Sequence, residues 1–508
     1  MRNICYNKPI TGGSRRASQT IQTAIPVYLK FFPKWQKCRD AIAGEDEIKY
    51  KKEKYLPKPS GMDKADYKCY IDRAQFFNAG GRTLDGLAGM LNRKPAIITV
   101  PEGMEKYLEN VDGKGHTIQQ FIDMVCKDVL TTNWGSVLVD MPKSTGTEES
   151  DTSEQSQLDF EKKGMYAYMV YYKAEASTKW KWETDGRTQH LRYVILKEPT
   201  VVDSVGEFNT EVKDYYRVLQ IDPETGNYKQ TLYNEKLIPI EEVEPKSRKG
   251  NFKELPFAFM SINSEPEEPI LSDLINVNLS HYRKSADYEN GLHWTGVPTP
   301  FERGWTPETQ YDDEGHEVAP TPMKLGGTQF LYFPSGTEQV GYLEFSGSGL
   351  SQIANAMESD KESMAVLGAR IIANQKKGVE SAETAKIHNS AENSVLASFA
   401  NNMSQIFSRL LRIYLEWSTG ADIPQENVKV QINTDFDVST MSAQELTALV
   451  ALWQSGGIAK SDLFKNLKEG EILDADRNLD EMNAEIDEEQ AKRMNTAMHM
   501  QEQLGGEE

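Results

Sequence analysis

Oxygen-bearing side chains recur at metal-binding intervals in one stretch of the sequence, from Asp474 to Glu485. They stand at the first, third, fifth, seventh and twelfth positions of an EF-hand loop, which binds calcium through oxygen ligands. The sixth position of that loop requires a glycine for its sharp turn, and this sequence has Leu479 there. We therefore predict no calcium site and interpret the stretch as an acidic helix start capped by Asp476. The residues concerned are Asp474, Asp476, Asn478, Asp480 and Glu485.

Motifs for phosphate binding and hydrolysis are incomplete or missing. Gly81 and Gly86 have P-loop spacing, but Leu87 and Ala88 stand where that loop needs a lysine and a Ser or Thr. The sequence has no H-E-x-x-H, G-x-S-x-G or G-x-G-x-x-G motif, and its histidines are scattered. We predict no catalytic, cofactor-binding or metal-binding residues, no cofactor, and a protein that is not an enzyme. The histidines are His116, His190, His281, His293, His316, His388 and His499.

The composition is that of a folded, acidic protein without a membrane segment. Of 508 residues, 38% are hydrophobic and 26% are charged, which excludes general disorder, and no apolar run is long enough to span a bilayer. A net charge of −20 repels nucleic acid over most of the surface, although DNA could pass without sticking. Residues 1–13 contain no apolar signal segment, so we expect a cytosolic chain, and the four separated cysteines predict reduced thiols.

The longest helical pattern covers residues 351–417. Apolar residues recur there at helical spacing in two blocks, and no proline interrupts them. Lys376, Lys377 and Gly378 separate the blocks with residue types that favour a helix C-terminus, so we predict two helices joined at a hinge. A second helix that begins near Glu380 and fills the rest of the region would be about 57 Å long, which favours a structural spine. A long helix within an ordinary helical domain is the alternative.

Alternating patterns predict a β-rich region from Met165 to Ile262, between helical regions. One hairpin is expected to turn at Asp185-Gly186 and another at residues 222–227, because these segments carry turn residues between alternating strands. The preceding residues, 143–164, are almost without apolar side chains and predict an exposed, mobile loop. The many aromatic residues of the β-rich region suit strands, and carbohydrate binding is the alternative explanation.

Further elements follow from proline positions and helical spacing. A helix is predicted over residues 25–50 with an interruption at Pro33, and another from Asp63 through Phe77. Leu271–Gly291 has one apolar and one polar face, as expected of a helix packed on a core. The remaining predictions are a loop over 298–321, strands over 328–333, 338–345 and 428–432, a flexible hinge at 346–349, and helices over 442–453, 460–468 and 476–503.

Two stretches of the sequence carry a specific pattern. The first is Tyr67–Pro95, and the second joins Leu367–Ile372 to Glu380–Ala385 and Glu392-Asn393. With the β-rich insert, the Gly/Ser hinge and the jointed helix, they resemble the portal proteins of tailed bacteriophages, the head-to-tail connectors. The resemblance covers most of the chain and is weakest in the 143–164 loop and the acidic tail. In the first stretch the matching residues are Tyr67, Tyr70, Arg73, Ala74, Phe76, Phe77, Asn78, Gly81, Arg82, Thr83, Leu84, Gly86, Leu87, Gly89, Arg93, Lys94 and Pro95.

The resemblance implies an α+β, mainly helical portal-type fold with a long broken spine helix, a β-rich wing/clip insert and a C-terminal helical crown. It also implies a dodecameric ring at one capsid vertex, through which double-stranded DNA is packaged and ejected. The expected partners are further copies of the chain, DNA bound without sequence preference, the terminase large subunit, the head–tail adaptor and the major capsid protein, with no membrane. The expected location is the virion, and the host cytoplasm during assembly.

The family's regions can be placed on this sequence by the same resemblance. Leu271–Gly291 resembles the stem helix, and Ser346, Gly347, Ser348 and Gly349 resemble the tunnel loop. The regions are 1–142, the N-terminal helical part of the wing; 143–265, the mobile loop and the β-rich wing/clip region; 266–300, the stem helix; 301–350, the strands and the tunnel-loop region; 351–430, the long broken spine helix of the wing; and 431–508, the helical crown and acidic tail.

DNA that slides through a ring must not be held by many cations, because each Lys or Arg contact with a phosphate releases counterions and adds affinity. An acidic chain with a few placed cations suits this requirement, and Arg283 and Lys284 are our candidates for the channel lining. Two other functions stay open on the sequence: another virion structural or adaptor protein, and a hydrolase built on the β-rich region.

Overall fold

The structure is a computed structural model that describes part of the chain. The described residues are 21–142, 166–203, 210–247, 250–261, 263, 265–296, 299–303, 310–311, 314–318, 339–343, 347–372, 395–436, 443–454, 457–469, 472–473, 477–480, 482–485 and 488. The chain divides into two compact units, Met1–Thr434 and Asp435–Glu508. The described residues form both helices and sheets, which confirms the expected α+β class. A search of those residues finds no helix with the length and apolar character that a membrane span requires.

The α-helices among these residues are α1 (Pro26–Ala43), α2 (Glu45–Tyr50), α3 (Lys64–Arg73), α4 (Ala79–Leu91), α5 (Ile118–Thr132), α6 (Ser272–Gly296), α7 (Leu350–Ile372), α8 (Val395–Thr419), α9 (Ala443–Gln454) and α10 (Lys460–Glu469). The strands are β1 (Ile97–Thr99), β2 (Gly135–Asp140), β3 (Tyr168–Lys173), β4 (Ser177–Asp185), β5 (Thr188–Asp203), β6 (Thr210–Ile221), β7 (Tyr228–Tyr233), β8 (Pro239–Val243), β9 (Lys246–Ser247), β10 (Gly250–Asn251), β11 (Phe257–Phe259), β12 (Thr299–Arg303), β13 (Gln310–Tyr311), β14 (Glu317–Val318), β15 (Gln339–Leu343) and β16 (Lys429–Gln431).

The N-terminal helices differ from the prediction at two boundaries. α1 continues through Pro33, where we expected an interruption, and ends at Ala43. Pro33 and Leu29 both lie on the exposed side, so the carbonyl that loses its partner to the proline faces solvent. α3 ends at Arg73 instead of running through Phe77, and a non-helical link leads to α4, which Asn78 caps by accepting a hydrogen bond from the Gly81 N–H.

The β-rich region forms an antiparallel sheet in the order β4-β5-β6-β7-β8. Both predicted hairpins are confirmed: Asp185 pairs with Thr188, and Ile221 pairs with Tyr228. A separate three-stranded sheet has the order β11-β2-β3, and β2 is buried along its whole length. Residues 298–321, which we expected to be loop, instead contain β12, β13 and β14. A strand pairing that joins residues far apart in sequence, such as β12 with β15, is not readable from local turn residues.

α6 is the predicted amphipathic helix, and it extends to Gly296 instead of ending near Gly291. Its apolar face is buried, as expected from the spacing of Leu271, Ile275, Leu279, Tyr282 and Ala286. α7 runs antiparallel to α6. The pairing is defined by three contacts in order along the two helices, Leu274 with Gly368, Lys284 with Asp360, and Gly291 with Leu350.

The two blocks of the predicted spine are α7 and α8. Residues 373–394, which include the expected hinge at Lys376, Lys377 and Gly378, lie outside the described residues. The hinge and the length of about 57 Å therefore stay predictions. α8 packs against β16, and two of its serines bind that strand: Ser408 Oγ accepts from the Val430 N–H at 2.9 Å, and Ser404 Oγ accepts from the Ile432 N–H at 3.0 Å. Strand β16 lies within the predicted 428–432 segment and pairs with β1.

The second unit contains α9 and α10. α9 ends at Gln454, one residue beyond the predicted end, and its expected capping residue Ser442 lies outside the described residues. α10 covers the predicted 460–468 helix. Most of the expected 476–503 helix, the 143–164 loop and the 328–333 strand also lie outside the described residues.

Candidate functional site

The site is built on α6 and on the non-helical link between α3 and α4, residues 74–78. The link belongs to the first stretch that carries the portal resemblance, and it crosses the buried face of α6. At its two ends the link bonds to the flanking helices, since the Ala74 N–H donates to the Tyr70 carbonyl of α3 and the Asn78 carbonyl accepts from the Arg82 N–H of α4. The buried polar groups between these ends also need partners. Side chains of α6 supply those partners, as the individual bonds show.

Ser285 binds the backbone of Gln75 on both sides. The Gln75 N–H donates to Ser285 Oγ at 2.7 Å, and Ser285 Oγ–H donates to the Gln75 carbonyl at 2.8 Å. Ser285 is buried, so this reciprocal pair lies away from water. A single hydroxyl thus fixes the position of the link along α6.

Asn278 binds the other end of the link, next to α4, about two helical turns before Ser285. Its Nδ2 donates to the Phe77 carbonyl at 2.7 Å, and its Oδ1 accepts from the Gly80 N–H at 3.3 Å. Asn278 has no exposed surface. Because a buried amide that loses a partner costs free energy, Asn278 ties the start of α4 to α6.

Aromatic side chains fill the space between these polar contacts. Phe76 meets Tyr282 edge-on with ring centroids 5.8 Å apart, and Phe77 lies 6.1 Å from the His281 ring. The Arg82 guanidinium stacks over Phe77 at 4.9 Å. Before the link, in α3, the Tyr70 hydroxyl donates to Asp287 of α6 at 2.6 Å. Burial raises the pKa of Tyr70, and the hydrogen bond to Asp287 raises it further. The link is therefore held to α6 by packing as well as by hydrogen bonds.

His281 lies in the middle of the site without a polar partner. It is 3% exposed, and neither ring nitrogen has a hydrogen-bond partner among the described residues. Burial lowers its pKa, and Lys361 and Lys284 lower it further, while Asp360 and Glu358 act in the opposite direction. The imidazole is therefore kept neutral under the charged groups of α7.

The predicted channel cations are both engaged within the chain. Arg283 Nε donates to the Tyr55 carbonyl at 2.9 Å. Lys284 Nζ binds both carboxylate oxygens of Asp360, at 2.9 and 2.8 Å. Lys284 therefore joins α6 to α7, while the exposed Arg283 reaches back to the N-terminal helices. Neither contact tests whether these residues line a channel, so that role stays a prediction.

The predicted tunnel-loop glycines lie at the other end of α6. Gly347 has a φ of 63°, a conformation that favours glycine, and its carbonyl accepts from the Leu350 N–H at 2.9 Å. A Cβ at Gly347 would lie 3.4 Å from the Thr295 side chain, so the turn packs on the end of α6. Ser348 and Gly349 complete the turn, and Ser346 lies outside the described residues. Lys284 and Thr295 are about 16 Å apart along the helix. The structure therefore does not bring the predicted channel cations and the predicted tunnel loop together.

The EF-hand-like stretch lies partly outside the described residues, which include neither Asp474 nor Asp476. In the described part, Asn478 Oδ1 accepts from the Asp480 N–H at 3.0 Å, and Arg477 forms an ion pair with Glu485. The part of the chain that the structure describes holds no group of three side chains that could bind a metal ion.

A buried polar cluster in the β-rich region is the feature that a hydrolase would need. Arg217 binds Glu198 through two hydrogen bonds of 2.6 and 3.0 Å. Asp140 accepts from Gln230 at 3.3 Å and from Tyr168 at 3.4 Å, and burial raises the pKa of Asp140. These groups satisfy one another between strands, which indicates a structural role.

Sequence reasoning missed the residues that make the site. It recognised the apolar face of α6 but did not assign Asn278, His281 and Ser285, which stand on that same buried face. The signal was present, because polar residues at helical spacing within an apolar face indicate a bonded partner. The partner was not predictable, since the link is about 200 residues away in sequence.

Comparisons with known proteins give the following matches. A family profile described as "Domain of unknown function (DUF4055)" matches residues 270–418, less than a third of the chain. No curated protein matches. Three solved structures are similar: "Neck of native GTA particle computed with C12 symmetry" (11% identity, TM-score 0.33, 77% of this chain and 89% of that one), "Neck of empty GTA particle computed with C6 symmetry" (13%, 0.35, 76% and 88%) and "Virion of native gene transfer agent (GTA) particle" (10%, 0.34, 82% and 96%).

All three TM-scores lie below 0.5. The family profile covers α6, α7 and α8, and its description names no activity. The site on α6 thus falls at the start of the segment that the profile matches.

Proposed function

We propose that this chain is a portal protein of a tailed phage or phage-like particle. One observation carries the proposal: the two stretches that resemble portal proteins pack together on α6. A Cβ at Gly368, in the second stretch, would lie 3.5 Å from Thr83, in the first, and 3.7 Å from Leu274 of α6. Leu274 also forms a buried cluster with Ala79 and Met364. Two patterns that are far apart in sequence therefore describe a single packed unit.

In this proposal the chain forms a dodecameric ring at one capsid vertex, and α6 is the stem helix beside the DNA path. Exposed apolar side chains of α6 and α7 support association with further copies. Leu292 is 40% exposed, Trp294 54% and Val366 50%. Neighbouring subunits would remove this apolar surface from water, which favours a ring.

The proposed partners follow from the same role. Double-stranded DNA would pass through the ring without sequence-specific contacts, and the net charge of −20 keeps its phosphates from sticking. The terminase large subunit would dock during packaging, a head–tail adaptor afterwards, and the major capsid protein would surround the ring. The protein would act in the virion, after assembly in the host cytoplasm, and would have no enzymatic activity of its own.

Light scattering tests the ring. A dodecamer would be about twelve times the 57.4 kDa mass of the chain, and negative-stain images would show a central hole. A compact monomer at all concentrations would overturn the proposal, and a smaller assembly without a hole would favour another virion structural or adaptor protein.

The channel role of α6 is tested by reversing one charge. Arg283→Glu should alter DNA packaging or retention while the ring still assembles, because Arg283 is the exposed cation of the pair. Lys68→Glu on the exposed side of α3 is the matched control. Lys284→Glu is unsuitable, since it would place a second carboxylate beside Asp360. Unchanged packaging in rings of Arg283→Glu would remove Arg283 from the channel.

A further inference from the structure

α7 is attached to α6 by few buried side chains. Among residues 350–368, Met364 and Gly368 are buried, and the others are partly or fully exposed. The ion pair between Lys284 of α6 and Asp360 of α7 is a further contact. A helix held in this way can open without unfolding the whole chain, because segments with few buried contacts open at a lower free energy than the core does.

His281 lies between the two contacts that hold the middle of α7. On α6 it follows Leu274, which packs with Met364, and it precedes Lys284. His281 is 3% exposed, and neither ring nitrogen has a hydrogen-bond partner among the described residues. A proton bound to the imidazole would therefore create a buried charge without a hydrogen-bond acceptor, which is far less favourable than the buried neutral ring.

The carboxylates near His281 are already engaged by lysines. Lys284 Nζ lies 2.8 Å from Asp360, and Lys361 Nζ lies 3.3 Å from Glu358, which precedes it on α7. Burial lowers the pKa of His281, and the two lysines lower it further, while the two carboxylates act in the opposite direction. An imidazolium at this position would thus have to compete with two lysines for its counter-ions.

The elements on the other side of the ring bring a cation instead of a carboxylate. The link, residues 74–78, contains no charged side chain. Its Phe77 ring lies 6.1 Å from the His281 ring, and the Arg82 guanidinium of α4 lies over the far side of Phe77 at 4.9 Å. Separation of α7 from α6 admits water to the imidazole, and hydration stabilises its charged form.

We propose that α6 and α7 form a pH-sensitive contact, in which protonation of His281 releases α7 from α6. At neutral pH the neutral ring packs between Phe77 and α7. As the pH falls below about 6.5, the ordinary pKa of histidine, the released state binds the proton first and becomes more populated. Release is a property of this helix pair, and it holds whether or not the chain forms a ring.

Hydrogen exchange on the full chain tests this release. The protection factor of an amide is its intrinsic exchange rate divided by its measured rate at the same pH. From about pH 7.5 to about pH 5, the protection factors of residues 356–366 should fall by up to about thirtyfold, because the released state gains that factor from a histidine with a pKa of about 6.5.

Urea separates the release of α7 from unfolding of the whole unit. Opening of one helix exposes little surface, so low urea concentrations should hardly change the exchange of residues 356–366. Amides of residues 403–414 in α8, a helix with many buried side chains, should exchange more slowly and should speed up as urea is added.

Two variants identify the titrating group. His281→Phe keeps a ring between Phe77 and α7 but binds no proton, so protection of residues 356–366 should change by less than about twofold over the same pH range. Lys361→Gln, at an exposed position, frees Glu358 to pair with the imidazolium, so protection should fall by about tenfold or less. Lys68→Gln, on the exposed side of α3, is the matched control for Lys361→Gln and should behave like the unmodified chain.

Three results would overturn the proposal. In the unmodified chain, these are equal protection of residues 356–366 at both pH values, or protection and urea dependence that match those of α8, which would mean that α7 opens only when the unit unfolds. The third is a loss of protection in His281→Phe as large as in the unmodified chain. If His281→Phe does not fold, Lys361→Gln decides, because a loss equal to that of Lys68→Gln would contradict the release.

Discussion

α7 and α8 have the same kind of sequence but very different surroundings. The two helices have 23 and 25 described residues, and both repeat apolar residues at helical spacing. α8 is buried on most of its circumference, with Phe407, Leu410 and Leu411 fully covered. In the described part of α7, Met364 and Gly368 are buried, while most other positions are exposed.

The two blocks of the predicted broken spine are thus packed differently. α8 is a core helix of the first unit and contacts strand β16, Phe121 and Phe252. α7 instead packs on α6 and leaves a face uncovered, which is what a subunit contact would use. The apolar period of a helix thus predicts the helix but not how many sides are buried.

The largest effect on stability is expected when a core contact of α8 is removed. Phe407→Ala should lower the free energy of unfolding by about 3–5 kcal/mol, because a fully buried aromatic side chain leaves a cavity. Val366→Ala on α7 is the control and should change it by less than about 0.5 kcal/mol in the dilute chain. Urea unfolding measures both, and equal effects would contradict the contrast between the helices.

A smaller effect is expected from the serines that join α8 to β16. Ser408→Ala removes the acceptor of the buried Val430 N–H, which should cost about 1–3 kcal/mol. Ser398→Ala, on the exposed side of α8, should cost much less. If the two variants unfold at the same urea concentration, the bond between helix and strand does not contribute to stability.

The buried histidine under α7 should make stability depend on pH. His281 has a lowered pKa in the folded chain, so the unfolded chain binds the proton first as pH falls below about 6.5. The stability present at neutral pH is therefore lost as pH drops from about 6.5 toward the folded pKa, by up to about 1.4 kcal/mol per unit of pKa difference. His281→Phe should flatten this part of the curve, measured by urea unfolding between about pH 7.5 and 5.

A matched histidine change separates this effect from general acid sensitivity. His293→Phe, at an exposed position on the same helix, should leave the pH dependence unchanged. A curve that is the same for the unmodified chain and for His281→Phe would show that another group titrates.

The smallest expected effect concerns the ion pair between α6 and α7. A double-mutant cycle of Lys284→Ala and Asp360→Ala should give a coupling of about 0.5–1 kcal/mol, because the pair is partly exposed, with side-chain exposures of 33% and 15%. A second cycle on Lys361 and Glu358, which lie within α7 and are more exposed, should give less. A coupling of zero at Lys284 would mean that apolar packing alone joins the helices.

Local patterns in the sequence determined much of the secondary structure. The Asp222–Asn227 turn, the apolar face of α6 and the helical spacing of α7 and α8 each depend on neighbouring residues, and each was predictable. The helix through Pro33 and strand β12 were not, because solvent exposure decided the first and a distant strand partner, β15, decided the second. The resemblance to portal proteins was likewise available from sequence alone.

Only the tertiary structure decided what the site is made of. Asn278 and Ser285 are unremarkable in sequence, and they gain a role because the non-helical link of residues 74–78 lies against them and bonds to their side chains through the Phe77 and Gln75 backbone. The sequence by itself determined which faces are apolar, since that depends on periodicity. Which polar groups are then buried together depends on contacts between residues about 200 positions apart, and buried polar groups require such partners.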